Sequence, residues 1–194
     1  MMSGMHMQMV ARGYLVYEIT NSASILGLVA AASSVPILVL SLIGGEIADR
    51  MNKKKVMQIS QLLNSLTAIL VSVAIFTDKV EWYHLLAASV FQGATWAFLM
   101  PARQALIPSL VGQSQLSNAI ALNAAGMSVT TLAAPALAGG LYALAGPDKV
   151  YFIIAGLGVL AVVFTGAISK TNGAPARSNS PMMKDIVAGL SYIR

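Results

Sequence analysis

Arg12 lies in the run Met9-Val10-Ala11-Arg12-Gly13-Tyr14-Leu15-Val16, and an arginine in such apolar company needs a physical reason. In hydrocarbon a guanidinium costs about 2.5–3.5 kcal/mol on insertion scales, so its presence points to a cavity, a partner or a substrate contact, or else to a frayed, wet segment. Glu18 is six residues further on and falls on another helical face, which makes it a poor partner within the same helix. Asn64, Gln92, Trp96 and Asn123 are polar or amphipathic groups inside other apolar runs. They either line a path for a polar solute or hydrogen-bond from helix to helix. His6 and His84 have no ligand spacing to each other and read as interfacial residues rather than metal ligands. There is no Ser-His-Asp set, glycine-rich phosphate loop or carboxylate pair at catalytic spacing, so an enzyme reading, a metal or a cofactor has no residues to rest on. Cysteine is absent, which excludes disulfides, Cys-ligated zinc and thiol catalysis.

The elements that must carry these residues follow from composition. Hydrophobic residues make up 57% of the 194 and charged residues 10%, whereas a soluble domain carries about 25% charged residues to solvate its surface. The charges are clustered, and the stretches between Glu18 and Glu46, Lys55 and Asp78, Glu81 and Arg103, Arg103 and Asp148, and Lys149 and Lys170 are each long enough to span a bilayer. With an apolar but interrupted segment to about Thr20, spans near 25–45, 56–77, 83–107, 118–144 and 150–169 make six crossings. The fold class expected is an all-α membrane protein with a six-helix transmembrane bundle over residues 1–169.

The basic residues give the bundle an orientation. If Arg50 to Lys55 faces the cytoplasm, alternation puts the 108–117 loop and everything after 169 on that side. Nine of the twelve Lys and Arg then lie there: Arg50, Lys53, Lys54, Lys55, Arg103, Lys170, Arg177, Lys184 and Arg194. This is the positive-inside pattern of a multi-pass protein of the inner cell membrane. The basic groups are short and lack interleaved aromatics, which argues against a nucleic-acid partner and for the lipid bilayer.

Between the second and third spans stands Gly44-Gly45-Glu46-Ile47-Ala48-Asp49-Arg50-Met51-Asn52-Lys53-Lys54-Lys55. It resembles the signature of the major facilitator superfamily, and it lies where that signature belongs, in the loop after the second helix. Gly44 and Gly45 would let helix backbones approach closely, and Asn52 would tolerate a left-handed turn that the family gives to glycine. By the resemblance, Asp49, Arg50, Lys53 and Lys54 belong to a cytoplasmic gate that holds the inside-closed state. Met100 to Val111, with Leu116-Ser117-Asn118-Ala119, resembles the end of the fourth helix in the bacterial branch of enterobactin and drug exporters. Arg103 there either pairs with Asp49 or snorkels to the headgroups.

Two departures from the family pattern bear on coupling. Related proton-coupled branches carry an arginine three residues before Gln92-Gly93, where this chain has Ser89. The fifth-helix motif keeps Pro135, Gly139 and Gly140 but has Ala134 and Ala138 in place of glycines. Protons remain a coupling partner implied by the resemblance alone.

The match implies half of a twelve-helix fold, the amino-terminal half, built as two inverted three-helix repeats, with a truncated first helix. Residues 170–194 read as a cytoplasmic linker and an amphipathic helix, with Met183, Ile186, Val187, Leu190 and Ile193 at helical spacing, leading to a carboxy-terminal half or a partner chain. The implied function is secondary active export of small molecules by alternating access, by a fragment, a split gene product or a partner-dependent subunit. Alone, such a chain is expected to show no coupled transport. The alternative is a non-transporting membrane scaffold or assembly subunit.

Overall fold

Every apolar run of the sequence is helical in the computed structural model, which describes residues 2–167 apart from the side chains of residues 42, 43 and 46–50. The helices are α1 (Met2–Thr20), α2 (Ala23–Ala31), α3 (Ser34–Arg50), α4 (Lys53–Phe76), α5 (Trp82–Leu110), α6 (Leu116–Ala145) and α7 (Pro147–Ala167). The linker and amphipathic helix expected over 170–194 lie outside the described residues.

The second span is two helices rather than one. Pro36 has no N–H to give to the carbonyl of Ala32, so the helix stops at Ala31, turns, and restarts at Ser34. Conversely, α1 runs without a break through its polar positions, because Gln8 and Arg12 turn inward and are buried. By length and apolarity α2 with α3, α4, α5, α6 and α7 can each cross a membrane; α1 is too polar to qualify by composition and packs as the sixth member.

Local caps set the ends. The Ser22 hydroxyl accepts from Ile25 N at the start of α2. Asn52 does not take the left-handed turn expected of it: its φ is −65° and ψ 108°. Its carboxamide oxygen accepts from Lys54 N at 3.1 Å and Lys55 N at 3.3 Å, and a side chain capping a helix start needs an extended backbone. At the same end of the bundle Lys54 Nζ donates to the carbonyl of Gly166 at 2.7 Å, closing the last turn of α7. Near the other end Ser72 Oγ donates to the Asp148 carbonyl at 3.0 Å, so α4 and α7 run antiparallel along their length.

The packing follows a two-fold exchange. The first span (α1) packs on the fifth (α6), the fourth (α5) packs on the second (α3), and the third and sixth (α4 and α7) pack on each other. Each contact has its counterpart when spans one to three are exchanged with four to six, as inverted three-helix repeats require.

Polar side chains share the core with apolar ones, and many large apolar side chains face out. Gln8, Arg12, Gln61, Asn64, Gln92 and Thr95 are inside, while Leu122, Leu132 and Leu144 on α6 and Leu62, Leu66 and Phe76 on α4 face out. Apolar surface on this scale suits lipid, and the described residues form a multi-pass membrane bundle.

A close backbone seam joins α3, with the turn before it, to α5. A Cβ on Gly44 would collide with the carbonyl of Ala97, and one on Gly93 with the carbonyl of Ser33. The Ala97 carbonyl is open to that approach because Pro101, four residues on, cannot bond it. Gly45 does not share this role: the helical turn points it to open space. A Cβ on Gly139 or Gly140 would likewise meet nothing nearby.

These contacts set opposite signs for one substitution. Gly44→Ala and Gly93→Ala should each destabilise the bundle by about 1–3 kcal/mol through overpacking. Gly139→Ala and Gly140→Ala should be neutral or should stabilise by up to about 1 kcal/mol, the ordinary helical gain. Thermal unfolding in one detergent compares all four, and a Gly93→Ala protein as stable as the parent would refute the seam.

Candidate functional site

Three helices bring a set of polar side chains together inside the bundle. Arg12 on α1 is 6% exposed, and its Nη2 donates to Gln92 Oε1 on α5 at 2.6 Å. Gln92 Nε2 in turn donates to Gln8 Oε1 at 2.9 Å. Gln8 precedes Arg12 by four residues, so both lie on one face of α1 and one glutamine from α5 serves both. On α4, Asn64 Nδ2 donates to Thr95 Oγ1 at 2.7 Å and to the Ser60 carbonyl at 2.9 Å. Thr95 Oγ1 donates to the Gln92 carbonyl at 2.9 Å, which joins the two sets through α5.

The network is not fully satisfied within the protein. Arg12 Nη1, Gln61 Oε1, Ser89 Oγ and Tyr151 Oη are buried without a hydrogen-bond partner among the described residues. Gln61 borders a void of about 20 Å³ with Gln8, Asn64 and Ser65. That volume is large enough for one water.

On the other side of Arg12 opens a cavity of about 680 Å³, in the size range of small-molecule sites. Arg12, Gln92 and Trp96 line it, with Tyr14 and Tyr17 from α1 and Ile37 from α3. The break in the second span contributes as well, since Ser33 is part of the wall.

Of the five residues expected to line a path, Asn64 and Asn123 are not in this wall. Asn64 lies behind it, held by Thr95. Asn123 on α6 accepts from Arg103 Nη2 at 2.7 Å and ties α5 to α6. Arg103 therefore has a partner on α6; the side chains of Asp49 and Arg50 lie outside the described residues, so the expected pairing with Asp49 has no geometry to report. Lys54 Nζ reaches the end of α7 at the Gly166 carbonyl. Pro135 is inside the continuous α6. His84 Nδ1 accepts from Glu81 N in the cap of α5, and His6 faces Thr131 Oγ1 at 3.4 Å.

Sequence reasoning missed the partner of Glu18, which accepts from the Tyr142 hydroxyl at 2.6 Å across α1 and α6. The ring of Tyr142 also meets Tyr14, with centroids 5.5 Å apart. A carboxylate near the end of an apolar run was the signal that a donor on another helix would be needed.

A family model described as transmembrane secretion effector matches residues 2–194. The chain belongs to that family. It is a family of major facilitator transporters, and the recognition from the 44–55 motif and the fourth-helix stretch stands. The chain is 26% identical to the multidrug efflux pump Tap of Mycolicibacterium fortuitum over 200 residues, covering 98% of this chain and 49% of that protein. It is 24% identical over 166 residues to the uncharacterized MFS-type transporter YfiS of Bacillus subtilis (strain 168), covering 83% of this chain and 38% of that protein. The chain thus spans about half or less of the length of these relatives. In this chain the polar network and the cavity lie within helices of one membrane bundle.

Gln92 is the residue on which the network turns, and its two simplest replacements should separate. Gln92→Leu leaves the buried Arg12 without a hydrogen-bond partner and should cost about 3 kcal/mol. Gln92→Glu gives the same position a counter-charge and should retain or raise stability. Paired melting curves at neutral pH test this, and equal destabilisation by both would show that Arg12 does not depend on Gln92.

Proposed function

We propose that this protein is a secondary active transporter that exports small molecules by alternating access, with the 680 Å³ cavity beside Arg12, Gln92 and Trp96 as its substrate path. The cavity carries the reading: it is large, mostly apolar, and meets a buried polar network inside a membrane bundle. The family supports transport, and the name of the Mycolicibacterium fortuitum relative, an efflux pump, supports the outward direction. Such a protein is a carrier and not an enzyme. Protons are its proposed coupling ion.

The reading includes the facing bundle, on the same polypeptide or on a partner chain, against which this one rocks. Arg50 to Lys55 lies in the cytoplasm of the inner cell membrane by the positive-inside rule. Asp49, Arg50, Asn52, Lys53, Lys54 and Arg103 form the cytoplasmic gate, with Gly45 on the helix that enters it. Pro135, Gly139 and Gly140 mark the face of α6 toward the other bundle.

The second reading, a scaffold that keeps the bundle without the cycle, predicts one fixed geometry. The absence of native cysteine makes the two separable by labelling. Single cysteines replacing Met9 or Ile37 in the cavity wall, in cells that also make the facing bundle, should react with an impermeant maleimide from both sides of the membrane. Cysteine at Met51 should react only from the cytoplasmic side. Cavity positions that react from one side alone, under every condition, would favour the scaffold.

A further inference from the structure

Among the described residues, the wall of the cavity carries one fixed positive charge and no carboxylate. Arg12 lines it, and none of the other lining residues is Asp or Glu. The acid on α1, Glu18, is engaged with Tyr142 and is not part of the wall. Among the described residues no carboxylate pairs with Arg12: its Nη2 has only the neutral Gln92, and its Nη1 has no partner. A buried charge without a counter-charge acts strongly on whatever enters nearby, because the surrounding dielectric screens it little. Apart from His6, Ser33 and Gln92 the rest of the wall is apolar and aromatic, with Trp96, Tyr14 and Tyr17 offering flat faces and Met5 and Met9 adaptable ones.

We propose that the cavity selects amphiphiles that combine an aromatic or apolar body with one anionic group, such as a carboxylate or sulfonate, drawn to the Arg12 side, and that it rejects organic cations. The selection has two parts: attraction of the anion, and like-charge repulsion of a cation that finds no acid in the wall. The proposal rests on the reading of this cavity as the substrate path.

The test uses the protein in nanodiscs of zwitterionic lipid. Trp82→Phe leaves Trp96, in the cavity wall, as the single tryptophan reporter. The probes are N-phenylnaphthylamine, its sulfonate (anilinonaphthalenesulfonate), and a cationic rhodamine ester, read by saturable quenching of Trp96. The sulfonate is expected to bind about tenfold tighter than its neutral parent, about 1.4 kcal/mol, and the rhodamine not to saturate. Arg12→Gln should bring the sulfonate's affinity down to that of the neutral parent, with circular dichroism reporting that the variant is folded; Arg12→Lys should keep most of the preference. Gln92→Glu should cancel the preference with Arg12 in place. Equal affinities for the two naphthyl probes, or a preference that survives both Arg12→Gln and Gln92→Glu, would overturn the anion selectivity and leave the cavity as a binding site. No saturable quenching with any probe would overturn the cavity reading, and this proposal with it.

Discussion

Hydrocarbon offers a polar group no hydrogen-bond partner, and this constraint decides which face of each helix turns inward. The most demanding group is the guanidinium of Arg12. It is held by Gln92 across the α1–α5 interface, and Gln92 is held by Gln8. Because one residue on α5 answers two on α1, the rotation of both helices is fixed. Thr95, one turn along α5 from Gln92, then meets Asn64 and fixes α4 in the same way. Packing without a hydrophobic driving force between helices needs such polar pins together with close van der Waals contact.

The close contact comes from glycine and proline acting across one seam. Pro36 breaks the second span, Pro101 frees a carbonyl of α5, and Gly93 and Gly44 bring the two backbones together at those places. The loosened backbone thus sits where a neighbouring helix covers it. The same break supplies Ser33 to the cavity wall, so the irregularity that locks α3 on α5 also shapes the space beside Arg12.

Much of the fold was legible because a membrane span is a local property: about twenty apolar residues between charges or turns. The six segments, their order and the family motif could all be read that way. The break at Ala32-Ser33 was marked by Pro36 but hidden by the apolar run around it. Pairings across helices were not legible, since hydrophobic periodicity does not say which donor meets which acceptor. Glu18 with Tyr142 and Arg103 with Asn123 join residues 124 and 20 positions apart. Asn52 shows a further limit. Its type suits either a left-handed turn or a helix cap, and only the φ of −65° separates them. Gly44 and Gly45 are adjacent and identical as letters, yet only one meets another backbone. For the candidate site, Arg12, Gln92 and Trp96 were visible as misfits in apolar runs, whereas Gln8 and Thr95 matter through the partners that tertiary packing gives them.

The exchange symmetry of the contacts has a consequence of parity. A unit of three crossings begins on one side of the membrane and ends on the other, so a second copy joined head to tail to the first is necessarily upside down. An even-numbered unit would repeat upright, with equivalent helices parallel; here the third and sixth crossings, equivalent under the exchange, run antiparallel, as Lys54 with Gly166 and Ser72 with Asp148 show. Oddness together with the matching contacts is what a two-fold axis in the plane of the bilayer requires. Any movement that the axis maps onto its counterpart at the opposite face comes with no further instruction in the sequence.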